Sequence, residues 1–234
     1  MFEENTILAI ITARGGSRGI PRKNLREIGN KPMLAWSIQA AQKSRFIDRL
    51  ILSSEDIEVI ETAKKFGCEV PFKRPHYLAT DDAESMDVVH HALNALPEKY
   101  DYLILLQPTS PFCSAQDIDG CLEILHKEKA PSAVTVFEVD KHPNWMYSFS
   151  KGSRIQPLIE GEKRTTRRQD LPRVFALNGA VFIARCDWVA SQRDFISPET
   201  VAYEMPKNRS IDIDTENDLL LANLLAREFD SKIT

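Results

Sequence analysis

ILAIITARGGSRGIPRKNLREIGNK, residues 7–31, carries an apolar strand pattern straight into a glycine-rich basic loop. Residues 7–11 are short, continuous and rich in β-branched side chains, as a buried strand requires. Arg14, Gly15, Gly16, Ser17, Arg18, Gly19, Pro21, Arg22, Lys23 and Asn24 follow at once. Glycines let backbone N–H groups approach an oxyanion closely, and four cations within ten residues supply the counter-charge. That chemistry suits a polyphosphate. The plainer alternative is an exposed strand-to-helix turn, but a turn needs one or two glycines and no cationic cluster. No Gly-Lys-Ser/Thr stands at P-loop spacing, and Gly15-Gly16-Ser17-Arg18-Gly19 lacks the G-x-G-x-x-G spacing of a dinucleotide site.

Outward from this loop, strand and helix patterns alternate. Strands are predicted at residues 49–53, 69–72, 102–106, 132–138 and 180–184. Helices are predicted at 33–44, 57–66, 85–96, 115–127 and 216–229, with Gly67 stopping the second and Leu219, Leu220 and Leu224 on the apolar side of the last. Such alternation predicts an α/β fold, a mostly parallel sheet with helices on both faces. Ligands bind such sheets beyond the carboxyl ends of the strands. The loops after residues 11, 53 and 106 are therefore expected to share one cleft. The rhythm breaks between Lys141 and Arg173, a stretch with Trp145, Met146, Tyr147, Phe149 and the run Lys163-Arg164-Thr165-Thr166-Arg167-Arg168. It is too apolar for a disordered linker. Either an arm packing on a partner subunit or a locally folded flap accounts for it.

With 234 residues, 43% of them apolar, the chain can bury one full core, so residues 1–234 read as a single domain. A net charge of −4 argues against general nucleic-acid binding and makes the basic loop a local device. Cys68, Cys113, Cys121 and Cys186 form no C-x-x-C pair and suit buried thiols in a reducing compartment. No apolar run reaches transmembrane length, and Met1-Phe2-Glu3-Glu4 does not suit a signal peptide, so a cytoplasmic location with no membrane partner is expected. The five histidines show no metal-ligand spacing.

Ser210-Ile211-Asp212-Ile213-Asp214-Thr215 precedes the last helix. In an extended segment Asp212 and Asp214 share one face, and two such carboxylates suit Mg²⁺ completed by phosphate oxygens and water. The alternative is a helix N-terminus capped by Thr215, which explains Asp214 better than Asp212. Leu105-Leu106-Gln107-Pro108-Thr109-Ser110-Pro111 ends a buried strand in a stiff polar loop suited to recognising a polar ligand. A capped helix start at Ser114 is compatible with it. Arg74-Pro75 and Thr80-Asp81-Asp82-Ala83-Glu84-Ser85 either cap the following helix, the reading the residues alone favour, or line a pocket. Arg167-Arg168-Gln169-Asp170 is either solvated surface or a bidentate anion holder.

ARGGSRGIPRKN, the Arg-Pro pair followed by DDAES, LLQPTSP, RRQDLP, NGA and SIDIDT occur in the order found in CMP-sialic acid synthetases, the acylneuraminate cytidylyltransferases. The chain resembles this family from residue 7 to residue 225. The resemblance implies a Rossmann-like nucleotidyltransferase fold and a homodimer embraced by the irregular arm at 141–173. It also implies the reaction: CTP plus a nine-carbon 2-keto sugar acid, a nonulosonic acid, gives the CMP-sugar and pyrophosphate with Mg²⁺. Arg14, Gly15, Gly16, Ser17 and Lys23 would then hold the phosphates, Asn24 the nucleotide, and Arg74 and Ser85 the cytidine. Gln107 and Asn178 would face the sugar, Arg168 would steady the reacting centre, and Asp212 and Asp214 would bind the metal. Arg14, Lys23, Arg168 and Asp212 make the catalytic set.

One departure bears on the sugar. Sialic-acid-specific members often carry arginine two residues before Asn-Gly, where this chain has Ala176. RRQDLP with ALNGA resembles the subgroup that activates legionaminic acid, and an apolar Ala176-Leu177 suits an acyl or methyl group. Cytidylyltransferases for N-acetylneuraminate, pseudaminate or an octulosonate are the alternatives within the class. A catalytically idle nucleotide or sugar sensor is the alternative outside it, disfavoured by retention of Lys23, Asp212 and Asp214. An NAD-dependent oxidoreductase is more remote, given the loop spacing.

Overall fold

The computed structural model describes residues 2, 4–159 and 167–230, the side chains of Arg168 and of residues 228–230 excepted. Its strands are β1 (Ile7–Thr12), β2 (Glu27–Ile28), β3 (Lys31–Pro32), β4 (Arg49–Ser53), β5 (Tyr102–Leu106), β6 (Ser132–Glu138), β7 (Tyr147–Phe149), β8 (Ile155–Pro157), β9 (Phe175–Arg185) and β10 (Val201–Glu204). Its helices are α1 (Met33–Gln42), α2 (Ile57–Lys65), α3 (Ser85–Ala95), α4 (Ala115–Lys127), α5 (Cys186–Gln192) and α6 (Glu216–Asp230).

Residues 7–11 of β1 are fully buried because β1 is central, paired in parallel with β4 on one side and β5 on the other. The six-stranded sheet runs β10-β6-β9-β5-β1-β4, and only β9 opposes the others. Alternation along β1 divides the core. Ile7, Ala9 and Ile11 pack with Leu34 and Ile38 of α1, Val59 and Ala63 of α2 and Leu122 of α4. Leu8 and Ile10 pack on the other face with Val89 and Ala92 of α3 and Val189 of α5. The sheet is thus covered on both sides, as the strand–helix alternation predicts.

A third apolar cluster matters most for the site. Ile20 of the basic loop and Ile213 of the acidic segment are both fully buried there with Ile28, Met33, Trp36, Phe112 and Leu219, Ala222 and Ala226 of α6. Burial of two such side chains, roughly 1.5–3 kcal/mol each, anchors the two polar segments to one floor.

Four differences from the sequence pattern have physical causes. The strand predicted at 69–72 reduces to a single bridge between Glu69 and Ile51; Pro71 has no N–H to continue a ladder. The strand predicted at 180–184 is the middle of the longer antiparallel β9, whose register against β6 shifts between Val134 and Val136. Near that shift Gly179 takes φ +73, a left-handed backbone natural to glycine. Helix α1 stops at Gln42, two residues early. Short β10, α5 and the β2–β3 and β7–β8 hairpins carry too few alternations to announce themselves. Within the 141–173 stretch, the described part holds the exposed β7–β8 hairpin, while Lys163 to Thr166 lie outside the described residues. Among the described residues no helix is long and apolar enough to cross a membrane.

Candidate active site

Because β1, β4 and β5 run parallel, their carboxyl ends reach one edge of the sheet. A cavity of about 290 Å³ opens there, at the small end of the range for ligand pockets. Arg14, Gly16, Ser17, Lys23, Asn24, Arg74, Ser85, Gln107 and Thr109 all line it. Four sequence-distant motifs therefore meet in one cleft. The loop after β4 lies just beneath and contributes supports rather than lining.

The basic loop is held from several directions. The Asn24 side chain, nearly buried, donates to the Arg14 carbonyl at 2.9 Å and closes the loop on itself. The Gly15 N–H donates to Glu55 Oε1 at 2.7 Å, so that amide points inward and not at the cleft. A Cβ on Gly15 would stand 2.4 Å from Asp56 Oδ2, whereas one on Gly16 would meet nothing within 4 Å. Arg22 adopts the left-handed region at φ 57 and forks onto Asp56 at 2.9 and 3.2 Å. Asp56 in turn caps α2 by accepting the Val59 N–H. Glu55 and Asp56 were not singled out in the sequence; the available signal was two adjacent acids, one residue past a strand that ends at the cleft.

The acidic segment faces the loop. Ile213 is buried, so alternation turns Asp212 and Asp214 outward together. Its N–H donates to the Thr109 carbonyl at 2.9 Å, which docks the segment on the loop after β5. Lys23 Nζ donates to Asp214 Oδ1 and to the Ile213 carbonyl, each at 2.9 Å. Partial desolvation lifts the Asp212 carboxyl above its ordinary range; the Asp214 charge adds to this, while a Thr109 hydrogen bond and Lys23 oppose it. Thr215 and Asp218 form a reciprocal cap at the start of α6, so the capping reading holds alongside the site reading. Two mutually repelling carboxylates fit a divalent cation that takes its other ligands from phosphate and water. Among the described residues no group of three or more His, Cys, Asp and Glu is placed to hold a metal. Any ion here would depend on the substrate's oxygens.

At the other wall Arg74, only 4% exposed, donates Nε to Ser53 Oγ at 3.0 Å and its N–H to the Ser54 carbonyl at 2.9 Å. Burial pulls its guanidinium down to about 10. Residues 80–85 do not cap α3: Glu84 holds the cap position with no side-chain bond. Instead Arg14 donates to the Thr80 carbonyl at 2.8 Å, and Arg14 and Arg18 both reach Asp81 at 2.7 Å. Arg18 and then Arg14 hold that carboxyl below its usual range.

Asn178 departs from its expected place at the sugar. It is 2% exposed, accepts from the Thr135 hydroxyl at 2.6 Å and from the Ala180 N–H at 3.1 Å, and donates to Ser210 Oγ at 3.0 Å. Its polar capacity is consumed in bracing the β6–β9 irregularity. The adjacent Gly179 lies nearer the candidate residues: a Cβ there would stand 3.5 Å from Gln107 Oε1 and 3.7 Å from Asp212 Oδ2. Arg168 lies in a short turn, and its side chain is outside the described residues. Cys68 and Cys186 are pushed by burial to about 12, which removes them as nucleophiles.

A cation loop opposite two carboxylates, beyond the carboxyl edge of a mostly parallel sheet, is suited to holding the phosphates of a nucleotide. The fold matches a CMP:2-keto-3-deoxy-manno-octonic acid synthetase complexed with CTP at TM-score 0.70 and 18% identity, covering 95% of this chain and 99% of that one. The chain belongs to the cytidylyltransferase family, whose model matches residues 8–156, and it is a CTP-using enzyme. It is 32% identical over 227 residues to the CMP-N,N'-diacetyllegionaminic acid synthase of Legionella pneumophila, covering 94% of this chain and 95% of the relative. The pseudaminic acid cytidylyltransferase of Campylobacter jejuni is 33% identical over 225 residues, covering 93% and 95%.

Proposed function

We propose that the enzyme transfers CMP from CTP to the anomeric hydroxyl of a nine-carbon 2-keto-3-deoxy sugar acid of the legionaminic type, releasing pyrophosphate. The observation that carries this reading is the lining of one cleft by Arg14, Lys23, Arg74 and Gln107, with Asp214 bonded to Lys23 and with Asp212 and Gln107 both beside Gly179. Lys23 and Arg14 would neutralise the triphosphate, and Arg74 with Ser85 would hold the base. Gln107 would orient the sugar acid so that its hydroxyl meets the α-phosphorus in line with the leaving pyrophosphate. Positioning and charge neutralisation supply most of the rate in phosphoryl chemistry of this kind. Asp212 and Asp214 would hold Mg²⁺, which, when bound, clamps phosphate oxygens and acidifies the attacking hydroxyl. Asp212 would take up that proton directly or through water. Arg168 is assigned to the reacting centre from its place in RRQD.

The sugar assignment draws on β9. Leu177 and Phe175, 46% and 38% exposed, share one side of the strand, two and four residues before Gly179, whereas Ala176 alternates to the other. An acyl group on the sugar would then meet Leu177 and Phe175 rather than Ala176. Pyrophosphate release from CTP with Mg²⁺ should be strong with legionaminate and weak with N-acetylneuraminate, pseudaminate and the octulosonate. Preference for N-acetylneuraminate or pseudaminate would keep the reaction and discard the sugar; release with none would sink the catalytic reading.

We further infer a homodimer joined through the 141–173 arm. Phe149 and Ile155 on the β7–β8 hairpin, and Leu158 just past it, are 77%, 58% and 58% exposed, a clustering that favours a covering partner. Sedimentation should give twice 26.6 kDa; a monomer at micromolar concentration would reject this.

A further inference from the structure

An acid stands in the wall of a cleft that suits an anion: Asp81 lines the cavity alongside Arg14 and Lys23. Its two carboxylate oxygens are divided between cations of the phosphate loop. Oδ1 meets Arg14 Nη2 and Oδ2 meets Arg18 Nε, each at 2.7 Å. Arg14 also donates to the Thr80 carbonyl at 2.8 Å. A carboxylate gripped by two guanidiniums is ionised at neutral pH, and the two cations hold it below its usual range. Both arginines are thus engaged by a protein acid, and its charge would repel a phosphate brought near them. The grip is nonetheless easy to release. The side chains of Arg18 and Asp81 are 71% and 42% exposed, and ion pairs in contact with water hold weakly. Residues 80–82 are exposed between buried Leu78 and Val88. The other ties of Thr80 are local turn bonds at 3.4 Å, one from the Ala83 N–H to its carbonyl and one from its hydroxyl to the Tyr77 carbonyl. Behind the turn a second cavity of about 790 Å³ shares Leu78, Thr80 and Ala83 with the first, so the turn is a partition with space on both sides.

We propose that Asp81 is an internal competitor for the phosphate cations: it holds Arg14 and Arg18 until a nucleotide enters, and the triphosphate displaces it. The carboxylate occupies the two arginines with the same charge-assisted, two-oxygen geometry that a phosphate offers them. A triphosphate brings more charge and more oxygens than one carboxylate and so wins both cations. Asp81 and the exposed turn that carries it then move off the loop. The affinity for CTP is therefore a difference, the gain of phosphate contacts less the loss of the Asp81 contacts. The proposal rests on the assignment of this cleft to CTP.

The test is calorimetric titration of CTP and of inorganic pyrophosphate, without metal or sugar, into the wild-type enzyme, Asp81→Asn and Asp82→Asn. Asp81→Asn keeps the size of an exposed side chain and removes its charge. It should tighten CTP by about three- to tenfold, the scale of two exposed ion pairs that no longer have to be given up. Pyrophosphate, which has no base, should gain by a similar factor. Asp82→Asn removes an equal charge one residue further on, where, among the described residues, no ion pair joins it to either arginine. It should tighten CTP by less than about twofold, as a screened charge not in contact would. In turnover, Asp81→Asn should lower KM for CTP more than it changes kcat. Unchanged or weaker CTP binding in Asp81→Asn, an equal gain in Asp82→Asn, or a gain for CTP that pyrophosphate does not share would each overturn the proposal. Failure of the wild-type protein to bind CTP would instead remove the nucleotide reading, and this inference with it.

Discussion

Asp212→Asn is expected to lower kcat by about 10²–10³, the scale seen when one preorganised electrostatic group is removed from a transition state. The substitution keeps the shape of the side chain and leaves Ile213 in its buried seat, so the segment stays docked on Thr109. What disappears is one of two neighbouring negative charges, the one on the carboxylate that lies toward Gly179 and is hydrogen-bonded with Thr109. An amide cannot accept the hydroxyl proton and binds Mg²⁺ far more weakly. Affinity for CTP in the absence of metal should change little, because the basic loop and Arg74 are untouched. Steady-state turnover at saturating Mg²⁺, set beside metal-free CTP titration, separates the two effects. Near-normal turnover would falsify the role given to Asp212.

Gly19→Ala is expected to cost about 10² in kcat/KM, the penalty of moving reacting groups by about 1 Å. A Cβ at this position would stand 2.1 Å from the Asp214 carbonyl oxygen, a backbone atom that cannot swing aside. Either the loop or the acidic segment must retreat. Ile20 and Ile213 share one packed cluster, so the retreat also opens that floor. The Lys23–Asp214 contact at 2.9 Å lies next to the clash and should lengthen with it. Gly16→Ala is the contrast: its Cβ meets nothing within 4 Å, and its loss should be far smaller. Equal activity of the two variants would show that the Gly19–Asp214 approach is unimportant to the reaction.

Much of this site was legible because its chemistry is concentrated in short runs. The strand, the glycines and the four cations of residues 7–23 sit together in sequence, and so do Asp212 and Asp214. Period-two alternation about Ile213 then gave their common face without any knowledge of the fold. Glu55 was not legible, since its meaning depends on a Gly15 amide 40 residues away. Asp81 was read as part of a cap, because nothing local reveals that Arg14 and Arg18 arrive from another loop. Asn178 was misplaced for the opposite reason: it neighbours the cleft in sequence, yet the β6–β9 register shift turns its side chain inward against Thr135. Ala176 and Leu177 could not be told apart until the phase of β9 was known.

Lys23, which lines the cleft, and its partner Asp214 are separated by 191 positions in the chain. The cationic loop and the acids that face it therefore meet only through a contact of very long sequence separation. Before that contact forms, the anchoring pocket for Ile20 lacks Ile213 and the inner side of α6. Contacts between distant segments form late in folding. A partly folded chain thus displays the cationic loop without the acids that face it, and the two polar segments share a floor only when α6 seats.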